Sequence, residues 1–177
     1  MAPSPRLLAL LGLIAFAAAL RLVPHPPNFT PIGAMALFTG ATLPRRALAF
    51  AAPLLALLAS DLILGFYQGM EVVYLSTALV VAIGWLVATR RTPARVGAAA
   101  LASSVAFFLI TNFAVWLSSG MYPHTTGGLA ACYAAALPFF QNSIAGDLFY
   151  TALLFSGFAL LERAVPAVRR AGSPHPA

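Results

Sequence analysis

Two aspartates carry the most chemistry in this chain of 177 residues. Asp61 and Asp147 each stand inside an otherwise apolar stretch, where a carboxylate is costly unless it is paired or functional. Several uses are open to them. Facing one cavity, they could work together as a general acid and base. They could attract a cationic solute. Asp61 could instead pair with Arg21, the only basic residue expected on its side. Asp147 could sit in the first turn of a helix after Gly146, where the helix dipole favours negative charge. Asn112 and Trp116 lie one turn apart and share a helix face. Asn112 is then either glue between helices or a ligand contact with Trp116 stacked beside it.

The other polar groups collect in three connectors, residues 24–31, 65–71 and 118–142. These hold Asn28, Thr30, Gln68, Glu71, His124, Gln141 and Asn142, interleaved with Phe29, Tyr67, Tyr122, Tyr133 and Phe140. Amides and hydroxyls that fix orientation beside aromatic faces that supply area are the makings of a small-molecule pocket. A belt of interfacial aromatics with polar loops is the alternative. The candidate binding set is Asn28, Phe29, Thr30, Asp61, Tyr67, Asn112, Trp116, Tyr122, His124, Asn142 and Asp147. No metal site is expected, because His25 and His124 are isolated and Cys132 is the single cysteine. The same count rules out an internal disulfide and leaves Cys132 as a small buried apolar residue. The chain has no lysine, which excludes a phosphate-binding loop of the Walker type and Schiff-base chemistry. No cofactor is expected, and any ATP would be hydrolysed by another subunit.

The elements that position these groups are apolar helices. The chain is 61% hydrophobic and 8% charged, with a mean hydropathy of +0.90, against about 25% charged in soluble domains. Lipid must be its solvent. The net charge of +6 therefore does not point to nucleic acid. The expectation is an all-α integral membrane protein, one domain of six helices at about 6–22, 32–43, 47–64, 72–88, 96–117 and 144–161, with a flexible tail at 164–177. The first segment also resembles a cleavable signal peptide, but its apolar core runs unbroken to Leu20, which favours a retained helix. Four prolines keep residues 24–31 non-helical. The second segment is too short to cross a ~30 Å core, so it is either a short helix sheltered by its neighbours or extended irregularly at one end. Leu129–Phe140 is read as a short helix or flap over the outer face, and the 118–142 connector as a lid with Gly120, Gly127 and Gly128 as hinges. With six helices and both ends inside, nine of the ten basic residues, all arginines, lie on the cytoplasmic side and only Arg21 outside.

Gly12, Ala15 and Ala19 form a small-residue stripe on the first helix, which suits close approach of another helix. That helix belongs either to the same bundle or to a partner. The run Pro26–Ala34, with Thr111–Trp116, Met121-Tyr122-Pro123 and Gly146–Tyr150, resembles an uncharacterised family of bacterial membrane proteins described provisionally as transport proteins. In layout the chain resembles the substrate-binding S-components of energy-coupling factor transporters. The resemblance implies six helices, a docking face on the first helix that Ala15 and Ala19 match, and an outward pocket roofed by the connectors after helices one, three and five. Nickel and cobalt S-components use a histidine near the N-terminus. This chain has none before His25, so that branch is not expected. The reading is a multi-pass protein of a bacterial inner membrane that captures a small organic solute, vitamin-like and neutral or cationic, and works with a transmembrane coupling subunit and ATPases. An intramembrane enzyme using Asp61 and Asp147, or an assembly protein without a cavity, are the alternatives.

Overall fold

The computed structural model describes residues 3–169. Among them are six α-helices, α1 (Pro5–Leu20), α2 (Ile32–Thr42), α3 (Arg46–Leu64), α4 (Met70–Val87), α5 (Pro93–Ser118) and α6 (Thr126–Ala164), then a 3-10 turn at Pro166–Val168 and no strand. The helix starts follow local chemistry. Ser4 accepts the Leu7 N–H at 3.2 Å before Pro5, and Thr92 accepts the Arg95 N–H at 3.4 Å before Pro93. Both are N-cap hydroxyls with proline at the first helical position, where its missing N–H costs nothing. α3 stops at Gly65 and α4 begins after Gly69, each at positive φ.

α2 is the axis of the bundle. Every residue of it except Gly33 and Thr42 is buried, and all the other helices pack on it. An 11-residue helix spans only about 16 Å, and of the two forms open to the short second segment the sheltered helix is the one present. Its closest neighbour is α4, and two glycines allow the approach. A Cβ on Gly40 would overlap the Val81 carbonyl, and one on Gly84 would overlap the Leu37 carbonyl. The core around this crossing is Leu37, Phe38, Val80, Val81, Leu154 and Phe158.

Four helices, α3 to α6, are long and apolar enough to cross a membrane. Leu62, Ile63, Leu75 and Leu86 are 66–70% exposed on their outer faces, which in water would be unfavourable and in lipid is not. The molecule is thus a helical membrane protein. One end of the bundle gathers arginines. Arg6, Arg46 and Arg91 line a common cavity there, Arg95 reaches the Leu86 carbonyl, and Arg169 reaches the carbonyls of Glu162 and Arg163. Arg21, at the C-terminus of α1, lies at the opposite end.

Two expectations change. Leu129–Phe140 is not a flap. It is the first part of a continuous helix of 39 residues, and the connector shrinks to residues 119–125. Pro138 lies inside that helix, where proline ordinarily costs about 3 kcal/mol. The N-terminal half of α6 is held against α5 by long-range contacts. Tyr133 donates to the Leu109 carbonyl at 2.6 Å, the Cys132 thiol lies 3.5 Å from the Asn112 carbonyl, and Phe140 stacks on Phe108 at 4.2 Å. The second change is at the C-terminus. Residues 164–169 of the expected tail fold back on α1, where Arg6 bonds Glu162 at 2.5 Å and the Val168 carbonyl at 2.9 Å. The remainder of that tail, 170–177, lies outside the described residues.

Candidate functional site

The polar centre of the molecule forms where α2 begins. Pro31 ends the proline-rich connector and starts α2, whose first N–H groups have no partner within the helix. The Asp147 carboxylate of α6 fills that role, interacting with the Ala34 backbone N–H and accepting the Ser104 hydroxyl of α5 at 2.6 Å. A Cβ on Gly33 would overlap this carboxylate, so glycine is what lets α6 reach the end of α2. Asp147 is therefore a helix-start acid, but for α2. Its own helix begins twenty-one residues earlier, at Thr126, so the expectation that it sits in the first turn of its own helix fails.

The connector before α2 is fastened to the same part of α6. Asn28 adopts a left-handed backbone with φ 63, a conformation asparagine tolerates better than most residues. Asn142 donates to the Pro27 carbonyl at 2.9 Å. Gly146 faces the Phe29 backbone, and the Phe29 ring packs against both Phe149 and Tyr150, 5.8 and 5.5 Å away.

The second polar cluster joins α1, α3 and α4. The Asp61 side chain is fully buried. Its Oδ1 accepts Arg21 Nη2 at 2.7 Å and its Oδ2 accepts the Tyr74 hydroxyl at 2.9 Å. Arg21 also donates to Ser60 Oγ and to the Leu57 carbonyl. Of the uses open to Asp61, the pairing with Arg21 is the one present. Tyr67, in the turn between α3 and α4, is held above its usual pKa by burial and then by the Asp61 carboxylate, with Arg21 pulling the other way. Its phenol therefore stays a hydrogen-bond donor at neutral pH.

Between these clusters lies a cavity of about 280 Å³, whose polar lining includes Arg21, Asn28, Thr30, Tyr67, Ser103 and Asp147. Ile32, Val73, Val80 and Phe107 supply its apolar wall. Ser103 is 2% exposed, and its hydroxyl has no partner within the protein, which is costly unless something in the cavity pairs with it. The charges are unequal. Arg21 is neutralised by Asp61, whereas Asp147 is answered only by hydrogen bonds and the partial positive charge of a helix start, equivalent to about half a unit.

Of the residues expected to bind, Asn28, Thr30, Tyr67 and Asp147 meet at this cavity. Asp61 stands behind Arg21, and Phe29 and Asn142 brace the connector. Asn112 bonds the Phe108 carbonyl of its own helix at 2.8 Å. Trp116 donates to the Pro123 carbonyl at 3.1 Å and meets the His124 ring at 5.3 Å. These two and Tyr122 lie toward the tip of the α5–α6 hairpin and do not line the cavity. Ser103 and Ser143 line it and were not singled out by the sequence. Ser103-Ser104, a polar pair within an apolar helix, was the available signal. On α1, Gly12, Ala15 and Ala19 are all exposed, and a Cβ at Gly12 would touch nothing, so the stripe faces away from the bundle. Among the described residues no group of three or more metal-ligating side chains comes together.

No curated protein and no solved structure matches the chain. One family model matches residues 1–168, nearly its whole length. The chain therefore belongs to the family of unknown function DUF6580.

Proposed function

We propose that this protein is a membrane transport subunit that captures a small organic solute, neutral or cationic, in the cavity at the start of α2. The observation that carries the reading is the pairing of an unpartnered buried hydroxyl, Ser103, with an incompletely compensated carboxylate, Asp147, in one cavity. Such a site rewards a ligand that accepts from Ser103 and donates to Asp147. Its volume is just below the usual range for small-molecule pockets, roughly 300–1,000 Å³, which favours a compact solute. Phosphorylated and multiply anionic solutes are disfavoured, because Arg21 already has Asp61 as its counter-ion.

Two features support the S-component-like layout. The connector after α1 and the turn after α3 contribute Asn28, Thr30 and Tyr67 to the cavity, and the exposed stripe of Gly12, Ala15 and Ala19 suits a coupling subunit. Having no lysine, the chain would draw on ATPases in other subunits. The arginine-rich end is proposed to face the cytoplasm of a bacterial inner membrane, with the cavity on the other side. The acid–base reading is weaker, since it needs two carboxylates facing one cavity and Asp61 is enclosed by Arg21 and Tyr74.

Native mass spectrometry of protein purified in mild detergent tests the proposal. A bound solute of low mass should appear, and Asp147→Asn should release it without unfolding the protein. A folded Asp147→Asn variant that retained the solute unchanged would remove the cavity from the account.

A further inference from the structure

The opposite end of the bundle carries a second, differently built site. Arg6, Arg46 and Arg91 line a cavity of about 500 Å³ beside the C-terminal end of α2. Arg46 lies over the Trp85 ring, its Cζ 4.9 Å from the centroid. This cation–π contact engages the guanidinium charge and uses none of its N–H donors in a hydrogen bond. Arg6 is held by Glu162 and the Val168 carbonyl, with its guanidinium over Phe158 at 4.8 Å. Each guanidinium has five donors, so such contacts leave capacity for a further acceptor. Among the described residues Glu162 is the only acidic side chain at this end, since Asp61, Glu71 and Asp147 belong to the other.

A larger cavity, about 640 Å³, adjoins it between α5 and α6. Its walls are mostly apolar, with Val96, Leu148, Phe155 and Phe158 the largest apolar side chains and Thr151, Ser156, Arg91 and Glu162 the polar ones. Arg91 lines both cavities, and the Arg6–Glu162 ion pair has one member in each. A basic chamber opening beside an apolar one, in a bundle whose outer faces are built for lipid, matches a molecule with an anionic head and a hydrocarbon chain.

We propose that this end of the protein holds an anionic phospholipid, its phosphate against Arg6, Arg46 and Arg91 and one acyl chain in the α5–α6 groove. Basic pockets between membrane helices are suited to such headgroups. The proposal is independent of the solute and lies at the other end of the bundle.

The test uses the full chain, stripped of lipid in detergent and titrated with phosphatidylglycerol, phosphatidylcholine or glycerol 3-phosphate, with occupancy read by native mass spectrometry. Phosphatidylglycerol should bind at least tenfold more tightly than phosphatidylcholine. Arg46→Gln and Arg91→Gln should each weaken it about tenfold, the usual worth of a charge-assisted hydrogen bond. Arg95→Gln, which removes the same charge from the same end but lines neither cavity, should change it less than twofold. Gly97→Leu tests the chain. Gly97 lines the groove, and a Cβ there meets nothing within 4 Å, so a leucine branches from open space and takes up groove volume. It should weaken phosphatidylglycerol while leaving the weak binding of glycerol 3-phosphate unchanged. Equal binding of the two lipids, or equal effects of the Arg46, Arg91 and Arg95 substitutions, would overturn the proposal. Glycerol 3-phosphate binding as tightly as the lipid would mean a site for soluble phosphate, and would overturn it as well.

Discussion

Ser103 and Ser104 offer a sharp test, because they are adjacent, equally buried at 2% exposure, and differ in what their hydroxyls meet. Ser104 donates to Asp147 at 2.6 Å and lies 3.1 Å from the Ala100 carbonyl. Replacing it with alanine removes a hydrogen bond to a charged group, worth about 1.5–3 kcal/mol, and leaves Asp147 with the Ala34 N–H. Ser103 makes no hydrogen bond within the protein. Ser103→Ala should therefore change stability by less than about 0.5 kcal/mol, or raise it. The expected gap between the variants is about 2 kcal/mol, or roughly 4–8 °C in melting temperature on the scale of soluble domains of this size. Thermal unfolding in one detergent, followed by circular dichroism, measures it. The order should reverse for the solute, with Ser103→Ala losing about tenfold in affinity while keeping full stability. Equal destabilisation by the two substitutions would refute the reasoning, since Ser103 would then have a structural partner.

Arg21→Met should cost about 3–5 kcal/mol, because it strands a fully buried carboxylate. The paired substitution with Asp61→Leu should recover at least 2 kcal/mol of it in a double-mutant cycle, and strict additivity would show that the ion pair is not energetically coupled. Gly84→Ala should lower stability by about 1–3 kcal/mol, because its methyl would meet the α2 backbone. Gly97→Ala, also in a helix but open, should not. A reporter fused to the C-terminus should lie on the cytoplasmic side, and an exported reporter that is active there would overturn the proposed orientation.

The legible parts of the fold were those written in charge and apolar run length. The arginines mark one end of the bundle, and Arg21, standing alone at the other, finds Asp61. The length of α2 left a sheltered helix or an irregular extension, and the first is present. The start of α6 was not legible. Gly127, Gly128, Pro138 and Asn142 are all helix breakers by local preference, and what overrides them is packing on α5 through Tyr133 and Phe140. The same limit hid the role of Asp147. Its attraction to a helix start was readable, but the helix it serves is more than a hundred residues away in the chain. Asn112 and Trp116 do share a face, and their partners are the backbone of their own hairpin, which spacing alone cannot reveal.

The Arg6 clasp on Glu162 and Val168 joins the two ends of the described chain, across 156 and 162 residues. α1 is synthesised long before Glu162 and Val168, although α2 and α3 follow it directly. At roughly 5–20 residues per second, α1 waits on the order of 10–30 s before Glu162 is synthesised. Until α6 is made, the buried face of α1, Leu10, Ile14 and Ala17, has α2 and α3 to pack on. Closure of the described bundle into a ring therefore waits for the final turn of α6, and a chain truncated before Glu162 would keep α1 to α5 and most of α6 but lose the clasp on Arg6.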